Sequence, residues 1–185
     1  MSFISKAVLK DIEEKDLKRI LEWRNQEWIR RVMYHSEEIS MEQHLSWFKN
    51  LQSSETAVTK LFYYDGIPYG VLNVNNIHSQ HSRCEWGFYI GEQNTPKGMG
   101  TILGFTALHY IFNELNIRKL CAEVIGSNQK SRAFHEKMGF SGEGILRKHI
   151  IKDEKEEDVF LYGMFQYEWN EWSLRILRLI EGRYI

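Results

Sequence analysis

The sequence predicts one α/β (α+β) domain: a single mixed, mostly antiparallel sheet with helices on both faces. Three observations predict it. The 185 residues carry 43% hydrophobic and 26% charged side chains, enough apolar chain for one core without disulfides or metals. Only Pro68 and Pro96 interrupt the chain, and no linker or internal repeat divides it. Hydrophobic periods alternate in the order strand, two helices, three antiparallel strands, crossover helix, strand, helix and two closing strands.

Residues 7 to 12, AVLKDI, read as the first strand. Glu14 to Arg31 follows as a helix, with Leu17, Ile20, Leu21, Trp28 and Val32 near a helical period. After a break at VMYHSEEIS, Ser40 and Gln43 have the spacing of a capping box that opens a second helix. There Leu45, Phe48 and Leu51 share one face, with His44 and Trp47 beside it. AVTKLFYY and YGVLNVNNI flank Asp65-Gly66 and read as a hairpin. RCEWGFYI is a third antiparallel strand.

The stretch from Glu85 to Leu115 organises the rest, as a strand, a turn carrying Gly98 and Gly100, and a helix from Thr101 to Leu115. A glycine turn feeding a helix start aims backbone N–H groups and the positive end of the helix dipole at one point, which suits a phosphate. The turn lacks the Lys-Ser/Thr of a P-loop and the third glycine of a dinucleotide fingerprint. KLCAEVI, Lys119 to Ile125, is a short strand parallel to the one before it. QKSRAFHEKM is a helix stopped by Gly139. SGEGILRKHIIKDEKEEDVFLYGMFQYEWNEW reads as two long strands hinged at the charged DEKEED run, a solvated tip. Residues 1–168 thus make the domain, and 169–185 an amphipathic extension of it. Trp169, Trp172 and Leu174 are left to pack on the sheet or on a second subunit of a homodimer.

A formal charge of −1 gives no electrostatic footprint for nucleic acid. No window has the length of a membrane span, and the charged N-terminus is no signal peptide. Cys84 and Cys121 read as free thiols in a reducing cytoplasm. His78, His81 and His109 lack ligand spacing, so no metal is expected.

Two motifs carry a family resemblance. Thr95-Pro96-Lys97-Gly98-Met99-Gly100 resembles the acetyl-CoA loop Gln/Arg-x-x-Gly-x-Gly/Ala, with Thr95 departing at the first position. Asn128-x-x-Ser131-x-x-Phe134-His135-Glu136-Lys137-x-Gly139-Phe140 resembles a helix motif whose usual residue at His135 is tyrosine. In this order, about 30 residues apart, they are specific. The chain is thereby identified as similar to the GCN5-related N-acetyltransferase (GNAT) superfamily.

The resemblance implies a central parallel pair of strands, ending at Ile90 and holding Val124, that splay to admit pantetheine. It implies acetyl-CoA as co-substrate, bound by Lys97, Gly98, Met99, Gly100, Thr101, Asn128 and Ser131. Trp23-Arg24-Asn25, Met33-Tyr34, Ile39-Ser40 with His44, Glu85 to Ile90 and Asp158 to Met164 resemble more narrowly the acetyltransferases of pseudaminic acid synthesis. That implies the 4-amino group of a UDP-linked 4,6-dideoxy sugar, destined for flagellin, as acceptor. Arg24, Met33, Tyr34, His44, Trp47 and Tyr89 would line its side, with aromatic faces for uracil and a cation for diphosphate.

Acetyl transfer needs a neutral amine and a proton for the departing thiolate, whose ordinary pKa values lie near ~10.4 and ~8.5. His135 is the candidate acid, with Tyr34, Tyr89 or water in reserve. Glu123, which interrupts an apolar strand, is the candidate base, and Glu85 one strand over competes with it. Each also reads as an ordinary surface polar residue. Other acceptors, a protein N-terminus, a ribosomal protein, a polyamine or an antibiotic, stay open, as does a cofactor-binding protein without catalysis.

Overall fold

The computed structural model describes residues 3–182. Seven strands form one sheet in the order β1-β2-β3-β4-β5-β7-β6. They are β1 (Ala7–Asp11), β2 (Val58–Tyr64), β3 (Ile67–His78), β4 (Arg83–Ile90), β5 (Lys119–Ile125), β6 (Ser141–Lys152) and β7 (Lys155–Phe165). Every neighbouring pair is antiparallel except β4 and β5. Helices α1 (Leu17–Arg24), α2 (Glu27–Arg30) and α3 (Met41–Gln52) precede β2. Then come α4 (Met99–His109), α5 (Gln129–Met138) and α6 (Gln166–Glu181).

Alternation along β4 and β5 divides two cores. Cys84, Trp86, Leu120, Ala122 and Val124 face a large cluster with Ile102, Leu103, Leu108, Met138 and Trp169 from α4, α5 and α6, and Phe112 from the turn after α4. The opposite face holds a smaller cluster of Ile20, Trp23, Ile29, Leu61 and Val71, with Met33 and Tyr89 packed on it. The expected mixed sheet with helices on both faces is therefore present.

Several local expectations hold for the stated reasons. Ser40 and Gln43 close the capping box of α3. Asp65 and Gly66 both adopt positive φ, 53° and 79°, as a two-residue turn of the right twist requires. Gly139 ends α5 at φ 94°.

Others are corrected. The helix expected over Glu14 to Arg31 is a short 3-10 turn followed by α1 and α2, broken at Asn25 and Gln26. The Asn25 amide donates to Ile39 O and accepts from Ile39 N, tying the break to the start of the next helix. On α3, His44 and Phe48 are buried while Leu45 is exposed. The central helix starts two residues early, at Met99, and widens into a π turn over Tyr110–Glu114. The closing strand stops at Phe165, and FQYEWNEW enters α6, so the expected division at residue 168 falls inside one helix. Trp169 packs against Phe105 and Phe112 of its own chain, which gives the aromatic tail a home on the sheet side. Only Asp153 and Glu154 of the charged run form the turn; Lys155 to Asp158 are strand.

Candidate active site

β4 and β5 pair only from Arg83↔Lys119 to Glu85↔Cys121. Beyond that, β4 runs five more residues and β5 four, to Ile90 and Ile125, without a bond between them. Backbone N–H and C=O groups in the middle of a sheet are left facing a gap, which is costly unless something pairs with them. The gap leads to the glycine turn. Gly98 caps α4 at φ 100°, a value glycine takes without strain. A Cβ at Gly100 would meet nothing within 4 Å, so the space over the helix start is open. A cavity of about 490 Å³ opens there, walled by Ile90, Glu92, Gln93, residues 95–100 and the exposed ring of Trp28 from α2.

α5 buttresses this end. Asn128 Oδ1 accepts from Ser131 N at 3.1 Å and starts the helix. Lys137 donates to Thr101 Oγ1 at 2.7 Å, joining α5 to the first turn of α4. Ile90 and Lys97 to Gly100 thus line the cavity, Thr101 and α5 brace it from behind, and Val124 is buried in the main core.

His135 is only 5% exposed. Its ring stacks on Tyr162 and meets Trp86 and Phe140 edge-on. Nδ1 lies 2.8 Å from Ser131 O, and a carbonyl can only accept, so Nδ1 carries the proton. Burial lowers the imidazole below its ordinary range, with the Ser131 bond opposing. The ring is therefore neutral near pH 7, with Nε2 an acceptor. Burial pushes the Cys84 thiol up to about 12, and both cysteines are free.

The open face of the same strands gathers carboxylates. Glu85 and Cys121 are register partners, and Glu123 lies two residues on, so all three share that face. Tyr34, from the loop between α2 and α3, donates its hydroxyl to Glu123 Oε2 at 2.6 Å. Burial and that bond raise the Tyr34 phenol above its ordinary value. Glu85 accepts from Asn76 Nδ2 at 3.0 Å.

Beside them, Arg24 donates through Nη2 to His35 O at 2.9 Å. Lys152, at the end of β6, donates to Met33 O. Met33 and Tyr89 pack on the same small core, and the adjoining loop carries Tyr34 and the His35 carbonyl that Arg24 reaches. His44 and Trp47 do not join them: they stack on each other at 4.9 Å, and His44 packs toward Leu17 of α1. Trp28 and Lys152 escaped the sequence reading. Trp28 reads as part of an apolar helix stripe, and Lys152 as the last residue of a long strand before the charged DEKEED tip; no sequence signal separates either from that background.

Residues 9–161 match the acetyltransferase (GNAT) domain, and the chain belongs to that family, whose co-substrate is acetyl-CoA. The "putative ribosomal N-acetyltransferase YdaF" of Bacillus subtilis is 31% identical over 108 residues, 57% of this chain and 58% of that protein. The "acetyltransferase PseH" of Campylobacter jejuni is 28% identical over 131 residues, 71% of this chain and 80% of that one. The spermidine N(1)-acetyltransferase of Escherichia coli is 29% identical over 105 residues, 57% and 56% of the two chains. The matched region thus spans little more than half the length of two of these three relatives. A crystal structure of spermidine N-acetyltransferase from Vibrio cholerae with CoA and spermine superposes with a TM-score of 0.84 at 22% identity, covering 90% of this chain and 99% of that one. That likeness carries the fold.

No helix among the described residues is long and apolar enough to cross a membrane. No cluster of three His, Cys, Asp or Glu among them could hold a metal ion.

Proposed function

We propose that the chain is an acetyl-CoA-dependent N-acetyltransferase whose acceptor is the primary amine of a small molecule, acetylated directly in a ternary complex. The observation that carries this reading is the unpaired end of β4 and β5 running into the Gly98 turn, with Glu123 on the face open to an acceptor.

Acetyl-CoA supplies an acetyl group activated as a thioester. Its pyrophosphate falls to the Gly98 turn, at the positive end of the α4 dipole, and its pantetheine to the edges of β4 and β5 that do not pair with each other. Glu123 takes the proton from the incoming ammonium, with Tyr34 holding the carboxylate in place. Glu85 adds negative charge that draws a cation to the same face. His135 has its proton on Nδ1, so Nε2 has none to give, and the proton for the departing sulfur comes from water. His135 then acts by packing beneath Trp86, where it keeps the base of the slot in shape.

The acidic face and the spermidine N(1)-acetyltransferase relative favour a small amine over the UDP-linked sugar expected from the narrower resemblance. A nucleotide-linked amino sugar is the second reading, favoured by the broad coverage of the PseH match. The test is release of free CoA thiol, with mass-spectrometric identification of product, from panels of polyamines, nucleotide amino sugars and peptides. An acetylated small amine is expected. Acetylation of peptides alone, or tight cofactor binding with no product from any panel, overturns the proposal.

A further inference from the structure

Two cations converge on one loop of the acceptor side. Arg24 and Lys152 both donate to the α2–α3 loop, at carbonyls two residues apart, His35 O and Met33 O. Among the described residues no carboxylate lies within salt-bridge distance of either. The only acceptors they have are two backbone carbonyls, His35 O for Arg24 Nη2 and Met33 O for Lys152. Arg24 Nη1 is buried with no partner at all. The Tyr89 phenol on β4 sits beside the Arg24 charge. Burial lowers both cations from their ordinary values; Asp153 and Glu157 oppose this for Lys152, and Arg24 adds to it.

Bringing like charges together out of water, with one guanidinium nitrogen orphaned, is unfavourable for the empty protein. An oxyanion between them would reverse each cost, since a guanidinium and an ammonium both donate strongly to phosphate or carboxylate oxygens. The pyrophosphate slot is elsewhere, at the start of α4. The backbone ties the cation pair to the chemistry instead: Met33 receives Lys152, and the next residue, Tyr34, donates to Glu123.

We propose that Arg24, Lys152 and Tyr89 form an oxyanion subsite, and that the acceptor is an amine carrying a phosphate or carboxylate, held there while its amine faces Glu123. This rests on the small-amine reading above and narrows it: a polyamine satisfies Glu85 and Glu123 but brings a third cation to Arg24 and Lys152.

The experiment compares aminopropyl phosphate, γ-aminobutyrate, propylamine and spermidine as acceptors. At least one of the two anionic amines should show a KM about tenfold or more below that of propylamine, the effect of one charge-assisted contact. Which of the two wins separates phosphate from carboxylate. Arg24→Gln and Lys152→Gln should each raise that KM toward the propylamine value, with folding checked by thermal melting. If spermidine is preferred, or if Arg24→Gln weakens acetyl-CoA rather than the acceptor, the subsite is wrong. Should no amine turn over, equilibrium binding to the CoA-saturated protein decides. Aminopropyl phosphate binding tighter than propylamine, and losing that advantage in Arg24→Gln, upholds the subsite while removing the catalytic reading; equal binding removes the subsite.

Discussion

Replacing Tyr34 by phenylalanine deletes one hydroxyl and, with it, the 2.6 Å bond to Glu123 Oε2. That length is typical of an O–H group donating to an ionised carboxylate, a class worth about 1.5–3 kcal/mol when shielded. Tyr34 is 45% exposed, so water replaces part of the lost bond and the lower end applies, about 1–1.5 kcal/mol. If the bond serves to hold Glu123 for proton removal, kcat/KM falls by about 5–12-fold. Glu123→Gln removes the base itself and costs about 10²-fold or more. The decisive quantity is the double variant. Tyr34 acts through Glu123, so Tyr34→Phe should have no further effect once Glu123→Gln is present, giving a coupling of about 1–1.5 kcal/mol. The assay is CoA thiol release at saturating acetyl-CoA with the amine varied. A double variant whose losses simply multiply, or a Tyr34→Phe enzyme as fast as the parent, refutes the positioning role.

Three further outcomes follow from the geometry. Gly98→Ala forces a side chain into φ 100°, at a strain of about 1–3 kcal/mol; calorimetric titration should show weakened acetyl-CoA binding, whereas Gly100→Ala, whose Cβ meets nothing, should keep its fold. Gly104→Ala places a Cβ 2.5 Å from Phe134 Cζ and should lower stability by about 1–3 kcal/mol, read as a drop in Tm. His44 and His135 are both lowered by burial, so the unfolded chain binds protons before the folded one does. Stability is full above the ordinary histidine value near ~6.5 and declines as pH falls from there toward the folded values, by up to about 1.4 kcal/mol per pH unit for each ring. Urea denaturation across that range should show the slope, and His135→Phe should shrink it; a flat profile contradicts the buried neutral rings.

The organising stretch was legible because its signals are local. Alternation in RCEWGFYI marks β4 residue for residue, and the two glycines mark the start of α4. Asn128 and Gly139 bracket α5 by the chemistry of their own caps. Glu123 stood out because a charge in an apolar strand needs a reason. What stayed hidden depends on distant partners. The break after Arg24 comes from Asn25 bonding to Ile39, fourteen residues away. QYEWNEW has the aromatic content of a strand, yet Trp169 finds Phe105 and Phe112, and Glu168 caps the Phe165 amide, so the segment is a helix. His135 could be placed in a motif, but its tautomer is fixed by Ser131 O and its burial by Trp86, Phe140 and Tyr162. The contact of Lys152 with Met33 O joins positions 119 residues apart, and no window of sequence contains both.

The most direct measurement is a crystal structure of the protein with acetyl-CoA. The cofactor should thread between β4 and β5 beyond Glu85 and Cys121, its pantetheine amides bonded to those strands and its pyrophosphate on the amides following Gly98. Cofactor bound on another surface, or β4 and β5 hydrogen-bonded to each other as far as Ile90 and Ile125, would contradict the account.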